Sequence, residues 1–224
     1  MSLKVPERGY FAAFSMLVDI NGFTALVANN KLDIGIGTFV RDVFSGAITA
    51  VEQNNGAVIG INGDALFAVL LTPEDVFESC RRIAKDITAM ADYLSGTEFE
   101  EGILTLPTMK IGIEYGWLDA SSISTDAMGT IPFCIGPATN YASRILQPGK
   151  GNRCHVGPKA MAAGMSEYIG EDMEQSTSGK PGEGRLSYWR LDMGDAWAES
   201  EPENAAGQQD ALLETSDRIR PCGN

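Results

Sequence analysis

Asp19 ends an almost continuously apolar run, Tyr10 to Ile20, and Asp64 stands at the tip of a turn that Gly63 opens between two short apolar segments. A carboxylate at the end of a buried strand is costly unless it is paired or bound to a metal. Glycine at 63 lets the turn approach another group closely. If the turn lies beside the first strand, the two carboxylates converge, and two hard oxygen donors in a cleft favour Mg²⁺ or Mn²⁺. A pair of such ions can bracket an in-line phosphoryl displacement, one at the attacking oxygen and one at the leaving phosphates. On spacing alone the commoner reading is a turn aspartate and a helix-capping one, and both readings stay open. His155 is the single histidine, flanked by Cys154 and Val156, and reads as a structural strand residue. With four scattered cysteines and no CxxC, a Cys/His zinc site is not expected.

The elements that must position these groups follow from periodicity. Tyr10 to Ile20 reads as a buried strand, and Gly22-Phe23-Thr24 turns into a helix. A helix is expected over Thr38 to Gln53, with Phe39, Val43, Ala47 and Val51 at helical spacing. Strands Ala57 to Ile61 and Ala65 to Leu71 flank Asn62-Gly63-Asp64, a hairpin signal because both Asn62 and Gly63 tolerate positive φ. Thr72-Pro73-Glu74-Asp75 has the composition of a helix start, and that helix runs to about Leu94. Met109 to Gly116 alternates like a strand, continued past a turn by Trp117 to Ala120, with Ile131 to Ile135 a further candidate. Pro137 to Leu146 is a short helix, and Arg153 to Val156 and Leu186 to Leu191 are closing strands. The sum is an α/β (α+β) domain over residues 1–194, with helices on one face of a mainly antiparallel sheet. Residues 195–224 read as an acidic, flexible tail.

The chain has 224 residues, 44% of them hydrophobic, and a formal net charge of −13. So negative a surface is a poor partner for nucleic acid or anionic lipid, while leaving room for local basic pockets and divalent metals. The N-terminus, Met1 to Arg8, has charges and a proline but no apolar run that could serve as a signal peptide. No segment approaches the roughly 20 apolar residues of a membrane span, so a cytoplasmic location is expected.

The residues around the two aspartates narrow the reading. Leu17 to Thr24 (LVDINGFT) and Ile59 to Leu66 (IGINGDAL) resemble the two metal motifs of the class III nucleotide cyclases, the adenylyl/guanylyl cyclase family. Lys110 to Gly116 (KIGIEYG) resembles that family's central strand, and Ile135 to Leu146 (IGPATNYASRIL) its catalytic helix. The resemblance implies a ferredoxin-like catalytic domain, with Asp19, Asp64 and the Ile20 carbonyl as ligands of two Mn²⁺ or Mg²⁺ ions. It implies a phosphate-binding turn at Asn21, Gly22, Phe23 and Thr24, where backbone N–H groups open a helix. Asn140 matches the asparagine that orients the ribose, and Arg144 the arginine that stabilises charge on the transferring phosphoryl group. One helical turn separates these two, so they share a face. The family works as a head-to-tail dimer, and a chain carrying both halves implies a homodimer with two shared sites.

Two departures bear on the substrate. The family normally reads purines with a lysine four residues before the second metal aspartate, and here that position is Gly60. Its partner acid, seven before the catalytic asparagine, is here Phe133. Gly60, Asn62 and Phe133 are therefore the candidate base pocket. Loss of both purine readers beside four retained metal and transition-state positions points to another base, since specificity and catalysis reside in different parts of such a site. The small chain resembles the bacterial pyrimidine cyclases of Pycsar anti-phage systems. That resemblance implies UTP, with CTP second, as substrate and a cyclic nucleotide product sensed by a separate effector. The alternatives are an adenylyl or guanylyl cyclase with relocated base contacts, and a non-catalytic nucleotide-binding module.

Overall fold

A computed structural model describes residues 3–24, 36–95, 108–126, 129–146, 151–169, 174–178 and 184–193. The tail expected over 195–224 lies outside the described residues. The elements, in order, are β1 (Gly9–Asn21), α1 (Ile36–Gln53), β2 (Ala57–Asn62), β3 (Ala65–Leu70), α2 (Pro73–Ser95), β4 (Thr108–Thr125) and β5 (Gly129–Ile135). They continue with α3 (Pro137–Leu146), β6 (Arg153–Val156), α4 (Pro158–Ala162), β7 (Glu174–Ser178) and β8 (Leu186–Asp192). Phe23 and Thr24 are helical, and residues 25–35 lie outside the described residues.

All eight strands form one sheet in the order β2-β3-β1-β4-β6-β8-β7, with β5 paired to the far part of β4. Only β4–β6 is parallel among these pairings. The mainly antiparallel α+β expectation therefore holds.

Strand parity divides the sheet into two faces. Phe14, Met16, Val18 and Ile20 of β1, Leu66, Ala68 and Leu70 of β3, and Ile111 and Ile113 of β4 pack with Val43, Phe44, Ala47 and Val51 of α1. Val76, Cys80, Ile83 and Ile87 of α2 complete this larger core. Thr72 opens α2 as expected, its hydroxyl accepting the Asp75 N–H at 3.1 Å and bonding the Asp75 carboxylate at 2.6 Å.

The opposite face carries α3, which corrects the expectation that the helices share one side. Gly112 is the reason. A Cβ there would lie 2.5 Å from the Ala142 carbonyl oxygen, so only glycine admits the helix backbone at that depth. Gly116 meets Ala138 in the same way, less tightly, at 3.3 Å. The pairing makes two smaller corrections. β4 runs unbroken through Trp117 to Thr125, without the expected turn, because Trp117 to Ala120 pair with Gly9 to Ala12 of β1 and Asp119 to Thr125 with β5. Asn62 belongs to β2, paired with Ala65, and the turn proper is Gly63-Asp64. Gly63 has φ +63° and Asp64 no positive φ, the pattern of a II′ hairpin turn.

Candidate functional site

The β1–β3 register sets Asp19 opposite Ala65, immediately beside Asp64, and the Ile20 N–H donates to the Asp64 carbonyl at 3.1 Å. Two carboxylates 45 positions apart thus occupy neighbouring places at one end of the sheet, as the hairpin argument requires. Ile20 is buried and points its side chain into the larger core, while Asp19 and Asp64 are half-buried. The next residues shape a turn. Asn21 donates from its side-chain amide to Thr108 Oγ1 and to the Gly151 carbonyl, each at 2.9 Å, tying the end of β1 to two neighbouring segments. Gly22 is exposed at φ +76°, Phe23 packs against the core, and Thr24 is exposed.

Asp19 is already engaged by a cation. The Lys110 ammonium lies 3.0 Å from Asp19 Oδ2, with only 12% and 22% of the two side chains exposed. Lys110 was legible as part of a strand motif, but nothing in its spacing marked it as the partner of Asp19. Only the β1–β4 register brings the two opposite each other. Asp19, Asp64 and the Ile20 carbonyl are the oxygen donors that could hold a cation at this end of the sheet, and the lysine at Asp19 marks a place that holds positive charge. Such a set suits Mg²⁺ or Mn²⁺, which commonly take one or two carboxylates and leave the rest of the shell to water and phosphate. Among the described residues no cluster of three or more His, Cys, Asp or Glu offers a competing metal site.

Asn140 and Arg144 come from α3, on the same sheet face as Asp19. Ser15, two rungs of that face from Asp19, bonds Thr139 Oγ1 at 3.2 Å. Ala138, Ala142, Ile145 and Leu146 form the buried seam of α3. Asn140 and Arg144 fall on the opposite side of the helix, exposed and half-buried respectively. Within one chain they turn away from the sheet that carries the aspartates. Gly60 is exposed at an irregularity of β2, with nothing within 4 Å of where its Cβ would be. Asn62 is exposed at the end of β2, and Phe133 is half-buried in β5.

Two buried polar residues lie on the strands beside α3, one bonded to α3 and the other to α4. His155 is fully buried in β6, its Nδ1 2.6 Å from the Ile145 carbonyl, which agrees with a structural strand residue. Burial, more than the cations of Arg153, Lys110 and Arg190, lowers its pKa to about 4. Glu114, 2% exposed, accepts the N–H groups of Tyr115 (2.9 Å) and Ala160 (2.8 Å), and burial raises its pKa. A lone acid in an apolar strand was the available signal for it. Among the described residues no helix is long and apolar enough to cross a membrane.

No curated protein sequence matches this chain. Among solved structures, the guanylyl cyclase Cya2 is similar at a TM-score of 0.69 and 14% identity, over 85% of this chain and 96% of that one. The adenylyl cyclase CyaB from P. aeruginosa gives 0.64 and 15%, over 84% and 97%. The guanylate cyclase domain of RhGC from Catenaria anguillulae, solved with GTP, gives 0.59 and 14%, over 81% and 97%. At these identities the likeness is one of fold. The family model described as the adenylate and guanylate cyclase catalytic domain matches residues 10–191, a span that holds both aspartates, the turn after β1 and the whole of α3. The chain therefore belongs to the adenylate and guanylate cyclase catalytic domain family and carries a nucleotide cyclase domain.

Proposed function

We propose that this cyclase acts on a pyrimidine triphosphate, UTP in preference to CTP, releasing the 3′,5′-cyclic monophosphate and pyrophosphate. The observation that carries the reading is at Gly60. The position that holds the family's base-reading lysine bears no side chain, and the space around it is open. Phe133, a ring in place of the partner acid, removes the second polar reader. A site built to hydrogen-bond one base loses its discrimination when those donors and acceptors are gone.

In this reading Asp19, Asp64 and the Ile20 carbonyl hold two Mg²⁺ or Mn²⁺ ions, which supply activation of the ribose 3′-hydroxyl and neutralisation of the phosphates. The 3′-hydroxyl gives up its proton to water, its oxygen attacks the α-phosphorus, the bond from that phosphorus to the bridging oxygen breaks, and pyrophosphate leaves. Asn140 holds the ribose, and the Arg144 guanidinium donates to the phosphoryl oxygens as charge develops. The backbone N–H groups of the turn Asn21 to Thr24 receive the phosphate chain.

The aspartates of one chain face Asn140 and Arg144 of a second in a homodimer. The outward direction of both residues on α3 supports this, as do the exposed Trp117, Ile123, Ile131 and Ile135. The guanylyl cyclase domain of the RhoGC fusion protein from Blastocladiella emersonii, similar in fold, is described as a non-canonical dimer, which supports dimer formation but not this arrangement. The product serves as an anti-phage second messenger read by a separate effector.

Incubating the protein with each of the four ribonucleoside triphosphates and Mn²⁺, and identifying products by mass, tests the proposal. Cyclic UMP as the main product supports it. Cyclic AMP or GMP alone would identify a purine cyclase with relocated base contacts. Nucleotide binding without turnover would identify a non-catalytic module.

A further inference from the structure

One rung of the sheet carries charge across four strands. On the face of α3, Asp19 of β1 is opposite Lys110 of β4, Lys110 is opposite Arg153 of β6, and Arg153 is opposite Asp192 of β8. On the other side of Asp19 stands the uncharged Ala65. Lys110 therefore has an anion on one side and a cation on the other. Opposite charges facing across a pair of strands attract and like charges repel, so the rung directs the ammonium to Asp19. The 3.0 Å contact is the outcome. With 12% and 22% of the side chains exposed, water screens this pair less than it screens a surface ion pair.

We propose that Lys110 is the resident counter-cation of Asp19 and competes with the divalent ion for that carboxylate. The inference rests on the metal role proposed for Asp19. The ammonium and a divalent ion cannot both sit against the same carboxylate oxygen without strong repulsion. A divalent ion at Oδ2 therefore requires Lys110 to leave that oxygen, and its other neighbour in the rung, Arg153, repels it. In the empty site the lysine keeps Asp19 neutralised and oriented. The cost is a weaker grip on the ion. Lys110 is in this sense a positioning residue whose charge sets metal affinity.

Mn²⁺ binding, read by the electron paramagnetic resonance signal of the free ion and without nucleotide, tests this on the full chain. Lys110→Gln and Lys110→Met should bind Mn²⁺ roughly two- to fivefold more tightly than wild type, the scale that one ion pair carries. Lys110→Arg, which keeps the charge, should stay near wild type. Asp19→Asn should weaken binding in either background. A merely structural lysine would make its neutral variants bind more weakly, so unchanged or weaker binding in folded Gln and Met variants overturns the inference. Absence of Mn²⁺ binding in the wild type as well overturns the metal reading along with it. Should both neutral variants fail to fold, acetylation of wild-type Lys110 followed by mass spectrometry decides. Reactivity that rises on adding Mn²⁺ supports displacement, and unchanged reactivity contradicts it.

Discussion

Asp64 sits at the second central position of a two-residue turn, where main-chain pairing holds its backbone next to Asp19. Asp64→Ala leaves that backbone intact, because no positive φ is needed at the position. It should therefore fold as wild type yet lose cyclase activity by about 100-fold or more, the scale for removing a group that stabilises developing charge. Unchanged turnover in the variant would remove Asp64 from the site. Gly60 and Phe133 make a converse prediction. Gly60→Lys with Phe133→Asp restores two polar readers, and the ratio of purine to pyrimidine product should rise by roughly tenfold or more. The same mass assay reads this, and an unchanged ratio would place base selection elsewhere.

His155 gives a pH dependence. Its folded pKa, about 4, lies below the ordinary 6.5, so the buried ring is neutral. The stability it contributes is fully present above pH 6.5 and lost as pH falls toward 4, on the order of 3 kcal/mol in all. Melting temperatures taken from about pH 7 down to about 4.5 should fall, and His155→Gln should flatten that slope. Glu114 has the opposite sign. Its raised pKa means that its contribution declines as pH climbs from the ordinary 4.5, so Glu114→Gln separates the two effects.

The elements differ in how much of them could be read from residue order. The β2–β3 hairpin was legible from Asn62-Gly63-Asp64, since two apolar strands around a Gly-containing pair leave few alternatives. One detail escaped, that Asn62 pairs with Ala65 and the turn is Gly63-Asp64. A Gly63 or an Asn62 start to the turn gives the same alternation of side chains to within one residue, and only cross-strand register decides. The start of α2 was legible because Thr72 and Asp75 are local partners. The seat of α3 was not. Gly112 and Gly116 read as two glycines in a strand, and their use as a groove depends on a helix that arrives much later in the chain. Because a side chain at 112 would collide with the Ala142 carbonyl, Gly112→Val should lower stability by about 3 kcal/mol or more. Urea unfolding measures this, and a loss under about 1 kcal/mol would mean that α3 can shift outward at little cost.

At the scale of the whole molecule, a mixed sheet with few βαβ units was evident from short alternating strands separated by amphipathic helices. The long β4 and the edge strand β7 were not. Trp117 to Ala120 were expected as a strand beyond a turn, whereas Ser121 to Thr125 and Glu174 to Ser178 are mostly polar runs that pair, among the described residues, with β5 and β8 and have no apolar pattern of their own. The site is likewise divided. Asp19 and Asp64 could be joined from sequence through one strand and one hairpin. The direction of Asn140 and Arg144 depends on which side of α3 the glycine groove buries, and that side turns them from their own sheet. On the roles proposed for these residues, a site completed by a second chain follows.

Subunit mixing tests that consequence most directly. Asp64→Ala and Arg144→Ala should each be inactive alone, and after subunit exchange an equal mixture should recover ~25% of wild-type turnover, one intact site in half of the dimers. Absence of recovery, with heterodimers shown to have formed, would contradict the shared site.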